Sequence, residues 1–188
     1  SYEDARFRFA SKKIFVDDQA AINIFELRSK VRKLKAKHDI QLVIIDYLQL
    51  MGVLDDSKIT RENQVAKISS GLKAIAKELQ IPVIALSQLS RLVETRKDSK
   101  VPQLSDLRES GSIEQDADVV MFLYRPEYYG IKNDEMGESV EGLTEVHIAK
   151  HRNGDLGTVR LKFHKSVQTF TEIHKTIPTN TRDPSQPN

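Results

Sequence analysis

A single acid, Asp46, stands at the end of the apolar run Leu42–Ile45 and before a second apolar segment, Tyr47–Met51. A buried parallel strand delivers its last side chain in this way to the edge of a sheet, where ligands bind. A carboxylate at such an edge can hold Mg²⁺, usually through water, beside the β- and γ-phosphates of a nucleotide. The pattern is also typical of a strand end that only faces a helix, so the rest of the chain must decide.

Two other apolar runs also end in polar side chains. One is followed by Ser87 and Gln88, and the other ends at Tyr124 and Arg125. The carboxyl ends of parallel strands meet at one edge of a sheet, so we expect these residues to lie near Asp46. A neutral amide such as Gln88 can sense a γ-phosphate or orient an attacking water without competing for its proton. Taken alone, Gln88 is also an ordinary polar strand end.

The segment from Leu104 to Asp118 is dense in polar residues. Within it, Arg108 and Gly111 would let a guanidinium group and the backbone approach a phosphate closely. Without further context the same segment is a capped polar helix.

Two cations, Lys150 and Arg152, precede the turn signal Asn153-Gly154. Residues two apart on a strand point the same way, so the pair could stabilise a charged phosphate. From a hairpin that projects outwards, the pair would reach a neighbouring subunit as an arginine finger does. An ordinary exposed basic hairpin is the alternative.

The elements that position these residues are predicted from hydrophobic periodicity. The end of a helix is expected before residue 11 and a short strand at 13–16, with Asp17 or Asp18 as the cap of the helix that follows. Helices are predicted at 19–37, 61–79 and 105–115, apolar strands at 41–46, 82–87 and 118–124, and alternating strands at 143–150, 158–163 and 168–173. Loops are expected at 51–60 and 89–104. This order predicts an α/β protein with a mostly parallel sheet flanked by helices and antiparallel strands added at one edge.

Composition narrows the class of protein. The chain has 188 residues, a net charge of +2 and 30% charged residues, so a nucleic-acid surface would need local clustering of cations. It has no cysteine, which excludes disulfides and thiolate metal sites and is compatible with a reducing cytoplasm. No apolar run approaches the ~20 residues of a membrane span, so no membrane partner is expected. The basic helix end at residues 28–37 is interpreted as a solvated face that complements the helix dipole, with DNA contact as the alternative.

Five segments in one order give the chain a specific resemblance: residues 43–51, 73–79, 83–91, 106–118 and 150–154. Together they resemble the C-terminal motor domain of the DnaB family of bacterial replicative DNA helicases, from about Lys13 to Phe170. The string Arg108-Glu-Ser-Gly-Ser-Ile-Glu-Gln-Asp-Ala-Asp118 is the most specific part.

The resemblance implies a domain with a RecA-like fold that works in the cytoplasm as part of a homo-hexameric ring. Such a ring couples hydrolysis of ATP with Mg²⁺ to 5′–3′ translocation on single-stranded DNA and to unwinding of the fork. A primase and a helicase loader are the implied partners. On this interpretation residues 1–176 form a partial RecA-like domain, and residues 177–188 form a disordered tail.

Site residues follow from the resemblance at the positions that match its motifs. Asp46 is similar to the Walker B carboxylate that holds Mg²⁺, and Gln88 is similar to the γ-phosphate sensor. Lys150 and Arg152 are similar to the cations that reach the neighbour's ATP. The loop that grips the DNA backbone in the central channel corresponds to Arg108, Glu109 and Gly111.

The chain departs from the family's pattern in one respect. A motor domain needs the phosphate loop Gly-x-x-x-x-Gly-Lys-[Ser/Thr], and none of the eight glycines is followed by lysine. That loop and the catalytic glutamate are expected upstream, and the lack of an initiator Met also suggests a fragment or a processed chain. By itself the chain is expected to hydrolyse ATP slowly or not at all. Without the Walker A strand, apolar strand edges and faces should be uncovered, which is an aggregation hazard.

Two other functions are compatible with parts of this pattern. One is another RecA-like ring ATPase, such as a recombination mediator or a clock-type ring. The other is a non-enzymatic module that binds single-stranded DNA or a loader protein. The string at residues 108–118 favours the helicase over both.

Overall fold

The described residues between 12 and 85 form two long helices, two parallel strands and a short 3-10 helix at Leu48–Leu50. The computed structural model describes residues 3–4, 6–7, 12–52, 60–96 and 99–173, and only the backbone of residues 108–110. Helix α1 spans Ile24–His38, strand β1 Val43–Ile45, helix α2 Arg61–Leu79 and strand β2 Val83–Ala85. β1 and β2 pair in parallel, with Val43 opposite Val83.

Helix α1 begins later than periodicity predicts. Its N-cap is Asn23, whose side chain accepts hydrogen bonds from the backbone N–H groups of Phe25 and Glu26 at 3.0 Å. The Glu26 side chain accepts from the Asn23 N–H in turn, which completes a capping box. Ala21, two residues before this cap, has a positive φ of 53°. A helix that begins at Gln19 cannot continue through this left-handed residue. The predicted cap at Asp17 or Asp18 is therefore wrong.

Helix α2 has the predicted bounds, and its apolar stripe forms the core. Thr60 caps it by accepting from the Asn63 N–H, and it ends at Gln80 in the left-handed conformation. The stripe packs on α1, β1 and β2 in one cluster of buried residues: Leu27, Val31, Leu48, Met51, Ile68, Leu72, Ile75 and Ile81. This cluster supports β1 and β2 and therefore also the residues that follow their carboxyl ends.

The second half of the chain is an antiparallel sheet joined to short helices. Helix α3 spans Leu92–Thr95, a 3-10 helix spans Leu104–Ser110, helix α4 spans Gly111–Asp116 and another 3-10 helix spans Pro126–Tyr129. The four strands β3 to β6 pair in sequence order: Val119–Tyr124, Leu143–His151, Gly157–His164 and Thr169–Glu172. The three alternating strands predicted at the C-terminal end are thus confirmed as antiparallel.

Strand β3 carries the antiparallel strands that the sequence predicts at one edge. Within the described chain it pairs only with β4, in antiparallel register, and its place in the parallel sheet stays a prediction. Its alternate residues are buried in a second small cluster of Leu107, Val120 and Phe122. The other face is open, with Met121 57% and Leu123 66% exposed, and Ile44 and Ile84 on the parallel pair are exposed as well. The predicted uncovered apolar face is confirmed.

The structure also bears on the predictions for the ends and the loops of the chain. The predicted strand at 13–16 is wrong: these residues are exposed and form no strand, and Phe15 instead packs on His38 with ring centroids 4.6 Å apart. The predicted helix at 105–115 is a 3-10 helix, interrupted where Leu107 leaves helical geometry, followed directly by α4. Most of residues 1–11, most of the loop at 51–60 and the tail at 177–188 lie outside the described residues. No described helix combines the length and apolar character of a transmembrane span.

Two helical glycines give a matched stability test. A Cβ at Gly71 would lie 2.4 Å from Cγ1 of Ile24, where α1 and α2 cross, whereas a Cβ at Gly111 meets nothing within 4 Å. Alanine is favoured over glycine in a helix by roughly 1 kcal/mol. We therefore expect Gly111→Ala to stabilise slightly and Gly71→Ala to destabilise by about 1–3 kcal/mol through overpacking. Urea midpoints of the two variants of the full-length protein check this; equal shifts would contradict the close helix crossing.

Candidate functional site

The pairing of β1 with β2 carries Asp46 and Gln88 to one edge of the sheet. Beyond the regular pairs, the Leu86 N–H donates to the Ile45 carbonyl and the Leu48 N–H donates to the Leu86 carbonyl, both at 2.9 Å. The two chains thus leave the sheet side by side, and Asp46 and Gln88 are both exposed there. The predicted convergence of these two strand ends is confirmed.

Gln49 is a site residue that the sequence interpretation missed. Its side-chain amide donates to the Ser87 hydroxyl at 3.0 Å and to the Gln88 carbonyl at 3.2 Å, and its Oε1 accepts from the Gln88 N–H at 3.2 Å. The Gln49 carbonyl in turn accepts from the Arg61 guanidinium at 2.5 Å. Gln49 therefore fixes the backbone that presents Gln88. A lone amide inside the apolar segment 47–51 was the signal for it.

A cleft of about 480 Å³ opens beside Gln88 and reaches the 3-10 helix that follows the third strand. Its other walls come from Leu89, Ser90, Arg91, Val93, Glu94 and Tyr129. Burial raises the pKa of the Tyr129 phenol, and the charge of Glu94 adds to that effect. A neutral phenol and a neutral amide thus face a cleft large enough for part of a small ligand.

Tyr124 and Arg125 stand at the end of the third strand and are held by packing contacts, and their place at this edge stays a prediction. The Tyr124 ring is buried and stacks on Tyr129 with centroids 5.8 Å apart, and burial raises the pKa of its hydroxyl. The Arg125 guanidinium lies over the ring of Phe163 at 4.2 Å, a cation–π contact. Both side chains therefore serve packing within the antiparallel sheet, in which β3 pairs with β4.

Lys150 and Arg152 face the same junction, between α4 and β3. The Lys150 ammonium donates to the carbonyl of Glu114 and, at 3.4 Å, to that of Gln115. The Arg152 guanidinium lies 3.3 Å from the carboxylate of Asp118, and its side chain remains 51% exposed. The prediction that the two side chains point the same way is confirmed. Lys150 also satisfies carbonyl groups in the last turn of α4.

The polar segment around the 3-10 helix is anchored by Asp106. This acid is only 5% exposed, accepts from the Gln103 N–H at 2.7 Å and pairs with Arg96. The Asp106 carbonyl also accepts from the Ser90 N–H at 3.1 Å, which ties the segment to the chain that follows Gln88. The end of the 3-10 helix that follows Asp106 therefore starts from a fixed base.

The predicted DNA-contact residues lie at the end of this 3-10 helix and at the start of α4. Gly111 begins α4 with a helical φ of −52° and open space around it, so the fold itself does not require glycine there. The side chains of Arg108 and Glu109 lie outside the described residues. Their assignment stays a prediction.

The carboxylate at this edge of the sheet suits a hydrated divalent cation. Among the described residues no group of three or more His, Cys, Asp or Glu side chains could hold a metal ion. An exposed lone carboxylate such as Asp46 fits Mg²⁺, which keeps several waters and takes most of its other ligands from phosphates.

Comparison with known proteins identifies the family. The family described as "DnaB-like helicase C terminal domain" matches residues 2–172. The replicative DNA helicase DnaB of Rickettsia prowazekii is 46% identical over 175 residues, covering 87% of this chain and 36% of that protein. The same helicase of Geobacillus stearothermophilus is 47% identical over 162 residues, covering 86% of this chain and 34% of its own length. The chain thus spans about a third of the length of these relatives.

Solved structures agree with the fold. One solved ATPase domain superposes with a TM-score of 0.82 at 43% identity, covering 92% of this chain and 59% of that one. A DnaB-like replicative helicase, solved in a study of its interactions with primase, gives a TM-score of 0.81 at 44% identity over 92% of this chain and 40% of its own. These neighbours are RecA-fold ATPase domains with the same α/β architecture. This chain belongs to the family of DnaB-like helicase C-terminal domains.

Proposed function

We propose that this chain is the part of a replicative DNA helicase that holds the Mg²⁺ carboxylate, the phosphate sensor and the cations for a neighbouring subunit. The observation that carries the proposal is the shared edge of β1 and β2, where Asp46 and Gln88 emerge together and Gln49 clamps the second strand. Membership of the family favours this function over the other RecA-like rings. Hydrolysis of ATP would drive translocation on single-stranded DNA.

ATP with Mg²⁺ is the proposed cofactor of this edge. Asp46 would hold the ion through water, and the ion would neutralise charge that develops on the phosphates. Gln88 would place its amide against the γ-phosphate or the attacking water, since its backbone is already fixed by Gln49. The exposed carboxylate and the adjoining cleft support this assignment.

Lys150 and Arg152 are proposed to act on the ATP of the next subunit in a homo-hexamer. Their junction is formed by the second, antiparallel sheet, whereas Asp46 and Gln88 lie on the parallel pair. The half-exposed guanidinium of Arg152 supports a role towards a group outside its own chain. A cation supplied in this way stabilises the charge of the transition state.

Single-stranded DNA is the proposed substrate of the segment that carries Arg108, Glu109 and Gly111. Contacts from such a segment would fix position on the phosphates without reading sequence. A primase and a helicase loader are proposed partners, and the cytoplasm is the proposed compartment. One structural relative is a helicase described together with its interactions with primase, which supports the first of these partners.

Mixing subunits tests the proposed function. DNA-stimulated ATP hydrolysis is measured for the full-length protein with increasing fractions of Arg152→Ala subunits. A small mutant fraction should remove a disproportionate share of the activity, because each altered subunit disables its neighbour in a coupled ring. A loss merely proportional to the mutant fraction would remove the main support for the finger, and no stimulation by DNA would favour an inert binding module.

The clamp on Gln88 can be tested by Gln49→Ala. The substitution removes the acceptor of the Gln88 N–H and the donor to the Ser87 hydroxyl, so the backbone that presents Gln88 loses its clamp. We expect kcat for ATP to fall towards that of Gln88→Ala, while the two changes combined are less than additive. Single-turnover ATP hydrolysis by the full-length protein measures this. Fully additive losses would show that Gln49 acts independently of Gln88.

The proposed DNA contact makes a salt-dependent prediction. Each phosphate contact on a single strand contributes about 0.7 to the slope of log K against log salt. Arg108→Ala should therefore reduce that slope by about this amount for every sequence tested, as measured by titration with labelled oligonucleotides. Exposed Lys33→Ala, on α1, is the matched control and should leave the slope unchanged. The reverse result would place DNA on the basic helix end instead.

A further inference from the structure

Asp118 holds Arg152 through two different contacts. Its backbone carbonyl accepts from the Arg152 N–H at 2.8 Å, and its Oδ1 lies 3.3 Å from Nη1 of the Arg152 guanidinium. The first contact fixes where Arg152 leaves strand β4, and the second fixes the direction of its side chain. Asp118 itself lies in the short connection between α4 and β3.

The other oxygen of Asp118 is anchored to the core helix. Its Oδ2 accepts from the ammonium of Lys73, on α2, and only 21% of the Lys73 side chain is exposed. Lys73 lies next to Leu72, which belongs to the main core cluster. The carboxylate thus connects a rigid helix to an exposed guanidinium.

The charges at this junction are unbalanced without Asp118. Three cations surround it, Lys73, Lys150 and Arg152, and the hydrogen bond from Lys73 together with their charges lowers the pKa of the Asp118 carboxyl. The carboxylate is therefore ionised at neutral pH, and its pairs are lost only as the pH falls through that lowered value. Without the acid, Lys73, Lys150 and Arg152 would lose the carboxylate with which all three interact.

On the proposed function of Arg152, we infer that Asp118, anchored by Lys73, is a positioning residue that orients Arg152 towards the neighbouring subunit's nucleotide. A guanidinium has five N–H donors, and the contact with Asp118 is through one nitrogen at 3.3 Å. Donors remain for a phosphate while the group is held in place. Holding a cation before its ligand arrives reduces the ordering that the reaction would otherwise require.

A double-mutant cycle on the full-length protein tests this role. DNA-stimulated ATP hydrolysis is measured for Asp118→Asn, Arg152→Ala and the two combined. Misplacement of a positioned group costs roughly up to a hundredfold, so we expect Asp118→Asn to lower kcat about tenfold or more with little change in KM. In the Arg152→Ala background the same substitution should have almost no further effect.

Two further variants keep the test decisive. Asp155→Asn removes an exposed acid from the hairpin that carries Arg152, and it should leave kcat unchanged. If Asp118→Asn lowers the thermal midpoint of the protein, Lys73→Met, which leaves the carboxylate in place, should show the same dependence on Arg152. Additive losses, or a rate that rises when Asp118 is neutralised, would overturn the inference. If Arg152→Ala itself leaves the rate of ATP hydrolysis unchanged, the result would instead overturn the proposed role of Arg152 as a finger.

Discussion

The hydrogen bonds that continue between β1 and β2 beyond their last regular pair determine where the chemistry can take place. Each strand has only three regular residues, yet the exchange among Ile45, Leu48 and Leu86 keeps the two chains together as they turn out of the sheet. A backbone N–H that leaves the sheet loses its partner in the strand pairing and takes another acceptor. Gln49 provides that acceptor for Gln88, so polar satisfaction and site geometry have the same origin.

Prediction from the sequence succeeds best where one local signal dominates. Helix α2 has four buried apolar residues at steps of three and four and a threonine cap, and its bounds follow directly. Helix α1 has a comparable apolar stripe, but Asn23 and Glu26 form a capping box that competes with Asp17 and Asp18. Periodicity identifies the face of a helix, whereas a side-chain hydrogen bond decides its first residue. Two acids before a helix therefore misled the prediction of its start.

Strand β3 shows what local patterns cannot predict. Its apolar composition resembles that of a parallel strand, and only its pairing with β4 decides which sheet it joins. Tyr124 and Arg125 follow that pairing: Tyr124 stacks on Tyr129, and Arg125 lies over the ring of Phe163. The residue that does reach the cleft, Tyr129, lies on a 3-10 turn that no local pattern singles out. Placement of a site by strand ends works only when the strand's neighbour is known.

The charges around Asp118 connect the two halves of the fold. Lys73 belongs to the helix whose apolar stripe supports β1 and β2, and Arg152 belongs to the hairpin of the antiparallel sheet. A displacement of α2 that follows changes at Asp46 and Gln88 would therefore move the anchor of Arg152 as well. In a ring, each subunit's own nucleotide edge and the cation that it offers to its neighbour would be mechanically connected through one carboxylate. Such a connection requires no long pathway, because the helix, the acid and the guanidinium are in direct contact.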